Sequence, residues 1–140
     1  MRISSYAVAR PAYYDRNASS FSQAYLAVVA PHANTVRWTY TVASGKKLLV
    51  ESAAAYAIRI TAATTNSYGW GLVTAYDGIN YSNILPMVIN LTALAAVDRA
   101  YLGQSVTVYA GQQLLGATWD TATGGTIQWE IDAKGTIYDA

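Results

Sequence analysis

Residues 36–42 read Val-Arg-Trp-Thr-Tyr-Thr-Val, an unbroken alternation of apolar or aromatic side chains with polar ones. Successive side chains of a β-strand point to opposite faces, so this period of two predicts a strand. Trp38 and Tyr40 are expected to share one face with Val36, while Arg37 falls on the opposite, polar face. The stretch decides the fold class, because no long amphipathic helix competes with it elsewhere in the chain.

Working outward from this strand, residues 126–132 repeat the alternation, with Trp129 inward and with Gln128 and Glu130 outward. Apolar or alternating segments of this kind recur about every 8–12 residues, with turn-forming residues between them. The chain is therefore expected to form about eight strands, which is the pattern of an antiparallel β-sandwich or barrel.

Turn residues predict where several of these strands end. Asp77-Gly78 is a two-residue hairpin signal between a strand that ends at Tyr76 and one that begins at Ile79. Pro86 is expected to separate the second of these strands from a further apolar segment. Lys134-Gly135 predicts a turn before a short last strand.

Two nine-residue stretches resemble each other. Residues 41–49 and residues 107–115 match at five of nine positions, including Gly45 with Gly111. Each predicts a strand, a glycine turn and a second strand, and such hairpins recur in the two Greek keys of a jelly roll. We therefore expect an all-β fold, an antiparallel jelly-roll-like β-sandwich of about eight strands with an extended N-terminal arm.

Residues 1–24 show neither a strand period nor a helical period and are interpreted as that arm, with the sandwich domain at residues 25–140. A first strand at residues 25–30 ends at Pro31 and is expected at a sheet edge, since proline cannot donate to a β-ladder. The arm combines arginines with tyrosines, a composition suited to docking on a partner subunit. The candidate partner-binding residues are Arg10, Tyr13, Tyr14, Arg16 and Arg37.

Charged residues are scarce. Only 12% of the 140 residues are charged, and the net charge is +1, whereas soluble domains average about 25%. A net charge of +1 gives only a weak electrostatic field, which argues against nucleic acid as the main partner. The charge-free runs at residues 78–97 and 100–119 are broken by Asn, Gln, Gly or Pro. They predict strands and turns rather than a membrane span.

Residues that could carry catalysis are few and scattered. The absence of cysteine excludes thiolate nucleophiles, iron–sulfur clusters and zinc fingers. His32, the only histidine, is more typical of a surface or capping residue than of a general base. Glu51, Asp120, Glu130 and Asp132 could in principle include a glycosidase pair, but no pattern in the sequence brings two of them together. We expect no enzyme activity, no catalytic residues, no cofactor and no metal site.

The stretch from Arg37 to Lys47, followed by the alternation from Tyr56 to Ile60, resembles small jelly-roll structural proteins of tailed bacteriophages, and most of all their capsid decoration, or cement, proteins. The resemblance covers residues 35–140 in size, all-β layout and the pattern of strand, two small residues, Gly-Lys and strand. It implies a homodimer or homotrimer that binds the major capsid protein on the capsid exterior and straddles joints between its subunits. Such a protein joins the virion after assembly in the host cytoplasm, and its activity is mechanical.

Two other functions stay open beside this leading hypothesis. A carbohydrate- or receptor-binding sandwich of a phage tail or fibre would stack sugars on exposed rings, and it predicts Trp70, Trp119 and two or three tyrosines in one concave patch. A glycoside hydrolase would need two carboxylates facing each other in a cleft, with Glu51 or Glu130 essential for turnover. None of these hypotheses involves nucleic acid or a membrane.

Overall fold

The computed structural model describes residues 18–63, 68–90 and 97–140. These residues form nine β-strands and no helix: β1 (Ser19–Val29), β2 (His32–Thr41), β3 (Lys46–Thr61), β4 (Tyr68–Tyr76), β5 (Tyr81–Asn90), β6 (Val97–Tyr101), β7 (Val106–Tyr109), β8 (Gln113–Asp120) and β9 (Thr126–Asp139). Valine, isoleucine, threonine and aromatic residues recur along these strands, because such side chains pack well on a pleated surface.

The strands lie in two antiparallel sheets. Sheet A has the order β1-β9-β3-β6, with β7 also paired to β3, and sheet B has the order β2-β8-β4-β5. β6 pairs with residues 54–58 of β3, and β7 pairs with residues 47–50 of the same strand. The two short strands therefore lie end to end beside β3 and together take the place of one strand. Counted in this way, the sandwich of described residues has eight strands. The nested pairs β1 with β9, β2 with β8, β3 with β6 and β7, and β4 with β5 are those of a jelly roll. The expected fold class is confirmed.

The core lies between the inner faces of the two sheets. Trp129 and Ile131 of β9 are fully buried, as their alternation predicts, and they belong to one cluster with Leu114 of β8 and Val73 of β4. Trp38 of β2 donates its Nε1–H to the carbonyl oxygen of Ile131 at 3.0 Å, which ties sheet B to sheet A. Each fully buried large apolar side chain contributes about 1.5–3 kcal/mol, so this cluster is the main source of stability.

The predicted alternation of β2 is right at Trp38, which is buried, and wrong at Val36, which is 53% exposed. The register with β8 shifts between Val36, paired with Ala117, and Trp38, paired with Gly116. Arg37 is therefore the extra residue of a β-bulge, and a bulge moves the residues before it to the opposite face. Val36 points outward from sheet B for this reason.

The predicted turn at Lys134-Gly135 is wrong, because β9 is continuous across it. Gly135 pairs with Val50, and a Cβ at Gly135 would collide with the backbone carbonyl of Leu49. The register of β3 against β9 shifts just beyond, between Val50 and Ser52. Gly135 therefore permits a close backbone approach at a bulge of the neighbouring strand instead of a reversal of the chain.

The β4–β5 hairpin is present, but its turn lies one residue later than predicted. Asp77 donates its backbone N–H to the carbonyl of Asn80 at 3.2 Å, which places Gly78 and Ile79 at the centre of the turn. Gly78 has a φ of 100°. The Asp77 Oδ1 accepts the N–H groups of Ile79 and Asn80 at 2.8 Å and 2.7 Å. This side-chain capping fixes Asp77 before the turn rather than within it.

Proline marks two sheet edges. Pro31 follows β1, which lies at an edge of sheet A as expected. Pro86 does not end a strand as predicted, because β5 runs through it and pairs it with Leu72. β5 is the edge strand of sheet B, where a missing backbone N–H need not cost a ladder hydrogen bond.

Part of the expected arm falls inside the sandwich. Residues 1–17 lie outside the described residues, whereas β1 already begins at Ser19, which pairs with Ile137 of β9. The sandwich therefore starts before residue 25. Phe21 is the physical reason, because its side chain is buried in the core and aligns this segment with β9.

The two similar stretches form the corners at which the chain crosses between sheets, rather than hairpins within one sheet. Gly45 follows β2 of sheet B and precedes β3 of sheet A, and Gly111 joins β7 of sheet A to β8 of sheet B. Both glycines have a positive φ, 75° and 83°. Val42 donates its N–H to the carbonyl of Gln112 at 3.0 Å and accepts the N–H of Gly111 at 2.9 Å. The two corners are thus hydrogen-bonded side by side.

Candidate functional site

The structure gives Arg37 contacts within the molecule. The half-buried side chain donates from Nε to Thr118 Oγ1 at 2.9 Å. Its guanidinium carbon lies 4.7 Å from the centroid of the Tyr25 ring, a cation–π contact. Arg37 therefore connects β2 with β8 of its own sheet and with β1 of sheet A. The other candidate partner-binding residues lie outside the described residues: Arg10, Tyr13, Tyr14 and Arg16.

His32 is held by two hydrogen bonds at the start of β2. Its Nδ1 lies 2.8 Å from the carbonyl oxygen of Ala30, and its Nε2 lies 2.9 Å from Thr118 Oγ1. In the neutral ring, Nδ1–H donates to the carbonyl and Nε2 accepts from the threonine hydroxyl. Nε2 thus connects the start of β2 to β8, and Nδ1 connects it to the preceding β1–β2 segment, as expected of a capping histidine.

An ion pair crosses the interior near the same threonine. Arg59 of β3 and Asp120 of β8 are both buried, with Nη1 3.3 Å from Oδ2 and Nη2 3.4 Å from Oδ1. Asp120 Oδ1 also accepts the backbone N–H of Ala122 at 3.0 Å. This two-point pairing of guanidinium and carboxylate joins sheet A to sheet B. No sequence signal indicates it, because 61 residues separate the partners.

The four carboxylates considered for a glycosidase pair lie in different places. Asp120 is on the inner face of sheet B, as the ion pair requires. Glu130 and Asp132 lie on the outer face of sheet A, since they alternate with fully buried residues of β9. Glu51 is exposed and accepts a hydrogen bond from Thr136 Oγ1 at 2.9 Å. The buried position of Asp120 separates it from the surface carboxylates.

The outer face of sheet B brings together aromatic residues from distant parts of the chain. Trp70 of β4 and Trp119 of β8 have ring centroids 5.9 Å apart and planes inclined at 56°. Farther along β4, Tyr76 stacks on Tyr81 of β5, with centroids 4.4 Å apart. These four residues define what we call the aromatic face. It contains the two predicted tryptophans and two tyrosines, arranged as two separate pairs rather than as one concave patch.

A depression of about 160 Å³ lies on the aromatic face. Thr74, Leu115 and Ala117 are buried at its base even though they point away from the core. Tyr81, which is 64% exposed, stands at its side. The described lining contains no charged residue, and its members are Asn34, Val36, Trp70, Leu72, Thr74, Tyr81, Asn83, Leu115 and Ala117. Apolar surface with a few polar groups is typical of ligand sites.

A second, wider opening of about 470 Å³ lies between the sheets. Ala75 and Ile84 contribute to it from sheet B, and Leu102 and Val106 from the segment around β6 and β7. Tyr109 supplies the one aromatic ring of its described lining. The aromatic face is therefore the better candidate for stacking a planar or ring-shaped ligand.

The outer face of sheet A is apolar along β1. Leu26 is 63% exposed and Val28 is 51% exposed. On the neighbouring strand β9, Glu130 pairs with Leu26 and Gln128 with Val28. On β3, Ile58 pairs with Gln128 and is half-exposed. Sheet A thus has an apolar edge beside a polar centre.

The carboxyl group of Asp77 has a lowered pKa. The backbone N–H groups of Asn80 and then of Ile79 hydrogen-bond its carboxylate and hold its pKa below the usual value. The carboxylate lies in the exposed β4–β5 turn, so the lowered pKa reflects the hydrogen bonds of a turn rather than a catalytic group.

Within residues 18–63, 68–90 and 97–140, no group of three or more His, Cys, Asp or Glu residues could hold a metal ion. No helix of this part of the chain has the length and apolarity to cross a membrane.

Comparison with known proteins gives little similarity. No protein-family model matches the chain, and no curated protein matches it. A solved structure of infectious bursal disease virus, Gx strain, matches with 6% sequence identity and a TM-score of 0.46. The match covers 90% of this chain and 33% of the viral chain. At this level of similarity the comparison assigns neither a family nor a function.

Proposed function

We propose that the protein is a non-enzymatic structural component of a virus particle, a capsid decoration protein that binds the outer surface of a phage head and stabilises the joints between major capsid subunits. The observation that carries the proposal is the exposure of large apolar side chains on the outer faces of both sheets, in a chain with only 12% charged residues. Leu26 and Val28 supply this surface on sheet A, and Val36 and Tyr81 supply it on sheet B. Apolar patches of this kind mark interaction surfaces.

A decoration role fits the physical properties of the fold. A jelly roll with a large closed core is rigid, so binding costs little conformational entropy. Many copies on a closed lattice stabilise the assembled shell by mass action and avidity, even when each copy binds weakly. In this role the protein acts on the capsid exterior as a homodimer or homotrimer, after assembly in the host cytoplasm.

The proposal assigns the contact with the major capsid protein to the N-terminal residues and to the β2 bulge. Arg10, Tyr13, Tyr14 and Arg16 combine charge and aromatic surface in one short segment. Arg37 acts indirectly, because its position in the bulge turns Val36 to the outside. Arginine and tyrosine are enriched at the energetic centres of protein interfaces.

Native particles test this function directly. The protein is expected in purified particles at one copy or more per capsomer joint, as counted by quantitative mass spectrometry. Adding the chain back to stripped particles should raise the temperature at which the shell opens. A chain with alanine at all four N-terminal candidates, Arg10, Tyr13, Tyr14 and Arg16, should rebind more weakly, while Tyr109→Ala serves as a control at an exposed aromatic residue. Absence from particles, or fewer copies than joints, would exclude the decoration role.

A second function is favoured by the aromatic face. Trp70 and Tyr81 line a small uncharged depression together with Asn34 and Asn83. Trp119 packs against Trp70, and Tyr76 stacks on Tyr81. Aromatic rings can stack on the apolar face of a sugar ring, and the side-chain amides can hydrogen-bond its hydroxyl groups. This geometry suits a neutral carbohydrate, bound by a tail or fibre module.

Titration with neutral oligosaccharides separates the two functions. If the aromatic face binds sugar, Trp70→Ala and Tyr81→Ala should each weaken binding roughly tenfold or more. Tyr109→Ala removes an exposed ring elsewhere and should leave affinity unchanged. Equal binding by all three variants, or no binding across a glycan panel, would remove the carbohydrate function and leave decoration as the remaining proposal.

A further inference from the structure

We infer that β1 is a self-association edge: a second copy of this chain pairs its own β1 antiparallel to it about a two-fold axis, so that sheet A continues from one protomer into the next. The proposed function supplies the reason for such an interface, since a decoration protein acts in several copies. The pairing itself is a property of the isolated protein and can be measured without any capsid.

The edge is long and regular. β1 has 11 residues and pairs with β9 at every position, from Ser19 with Ile137 to Val29 with Ile127, without a shift in register. Among the described residues β1 has no strand on its other side. A strand of this length presents hydrogen-bonding groups along about 36 Å, a ready template for another strand.

This edge also lacks the protection that the other three carry. Proteins block exposed edges with charges, prolines, bulges or very short strands. In sheet B, β5 contains Pro86 and β2 contains the bulge at Arg37. The far edge of sheet A is divided between β6 and β7, of 5 and 4 residues. β1 contains no charged residue, no proline and no bulge.

A second copy suits this edge because the strand is complementary to itself. Outward residues of β1 are small or apolar: Ser20, Ser22, Ala24, Leu26 and Val28. Antiparallel pairing centred on position 26 lays Leu26 against its own copy and Val28 against the partner's Ala24. Directly opposed like charges destabilise strand pairs, and an uncharged strand has none to oppose its copy.

Charges on the neighbouring strand do not oppose this pairing. Glu130, which pairs with Leu26, would be three strand spacings from its equivalent in the second copy, about 14 Å. That distance exceeds the Debye length of about 8 Å at physiological salt, so the repulsion is largely screened. Backbone hydrogen bonding and apolar contact therefore decide the association.

Sedimentation of the full chain tests the inference. The wild-type protein is expected to have twice the 15.0 kDa mass of one chain. Leu26→Lys places two like charges opposite each other at the two-fold axis, and Val28→Lys places a charge against the partner's Ala24. Each variant should raise the dissociation constant roughly tenfold to hundredfold. Both side chains are more than half exposed, so the fold should persist. Ile79→Lys makes the same change at a residue 84% exposed in a hairpin turn and should leave the mass unchanged.

Cross-linking locates the axis. The natural chain has no cysteine, so single variants Ser22→Cys, Ala24→Cys, Leu26→Cys and Val28→Cys are free of background. A residue at a two-fold axis faces its own copy within disulfide range, and we expect efficient covalent dimers at position 26 but not at 22, 24 or 28. A monomer at high concentration, a mass of three chains, or equal cross-linking at all four positions would overturn the inference. Particle binding by a monomeric chain would overturn it while sparing the proposed function.

Discussion

At the scale of single residues, the placement of Trp38 depends on the absence of a side chain opposite it. Gly116 of β8 pairs with Trp38 of β2, and a Cβ at Gly116 would collide with the indole ring. The same indole donates a hydrogen bond to the carbonyl of Ile131. The indole of Trp38 thus packs in the space left by the absence of a side chain at Gly116. This packing and the hydrogen bond to Ile131 fix the distance between the two sheets at this point.

Gly116→Ala should destabilise the protein by about 1–3 kcal/mol, because the added methyl group displaces the Trp38 ring in a closely packed core. The free energy of unfolding from urea denaturation measures this cost. Gly103→Ala is the matched control, since a Cβ there meets no atom within 4 Å. Equal losses in the two variants would show that glycine flexibility, rather than the Trp38 contact, is responsible.

Asp77 contributes stability that depends on pH. Hydrogen bonds from the backbone of Asn80 and Ile79 lower its pKa in the folded protein. The contribution is therefore complete above the ordinary pKa of an aspartate and is lost as the pH falls through the lower, folded value. Asp77→Asn should reduce the loss of thermal stability on acidification, because it keeps an oxygen acceptor but does not titrate. An unchanged dependence of the melting temperature on pH would contradict this role.

At the scale of elements, the buried face of β3 over residues 53–57 is the one with the smaller side chains. Tyr56 and Ile58 lie on the outer face of sheet A, while the inward positions are small alanines followed by Arg59. The small residues leave room for Trp129 of β9, which is fully buried in the same core cluster. The inward arginine is tolerated because Asp120 of β8 meets it across the core.

Asp120→Ala should cost about 3–5 kcal/mol, because it removes the carboxylate opposite a buried guanidinium. A double variant, Arg59→Met with Asp120→Leu, should recover most of this loss, since it replaces the pair with apolar side chains of similar volume. Thermal and urea unfolding of the three proteins provide the comparison. If the double variant were no more stable than Asp120→Ala, the ion pair would not be the source of the cost.

At the scale of the whole molecule, low charge and apolar outer faces predict association that salt does not disrupt. With a net charge of +1, repulsion between copies is weak. Pairing along β1 should therefore be as strong or stronger at high salt, where apolar contacts are favoured. Sedimentation at low and high ionic strength checks this, and a dimer that dissociates in high salt would instead indicate an electrostatic interface.

Local patterns in the sequence determine much of this fold. The alternation at residues 36–42 and 126–132 predicts strands and the burial of Trp38 and Trp129, because a strand needs only its own side chains to define two faces. The matching stretches at residues 41–49 and 107–115 indicate the two related halves. The role of a glycine is harder to predict from the local sequence. Gly135 allows the backbone of β3 to lie close to β9, and this contact depends on which strand pairs with β9.

The sequence by itself determined the all-β class, the approximate number of strands and the scarcity of charge, because these follow from composition and from periods of two along the chain. Only the tertiary structure decided that Arg37 lies in a bulge, that Arg59 meets Asp120, and that Trp70 and Trp119 share an outer face. Among the strands of residues 18–63, 68–90 and 97–140, it also left β1 as the one unprotected edge. These features depend on the register between strands far apart in sequence, and register is set by the packing of the whole sandwich.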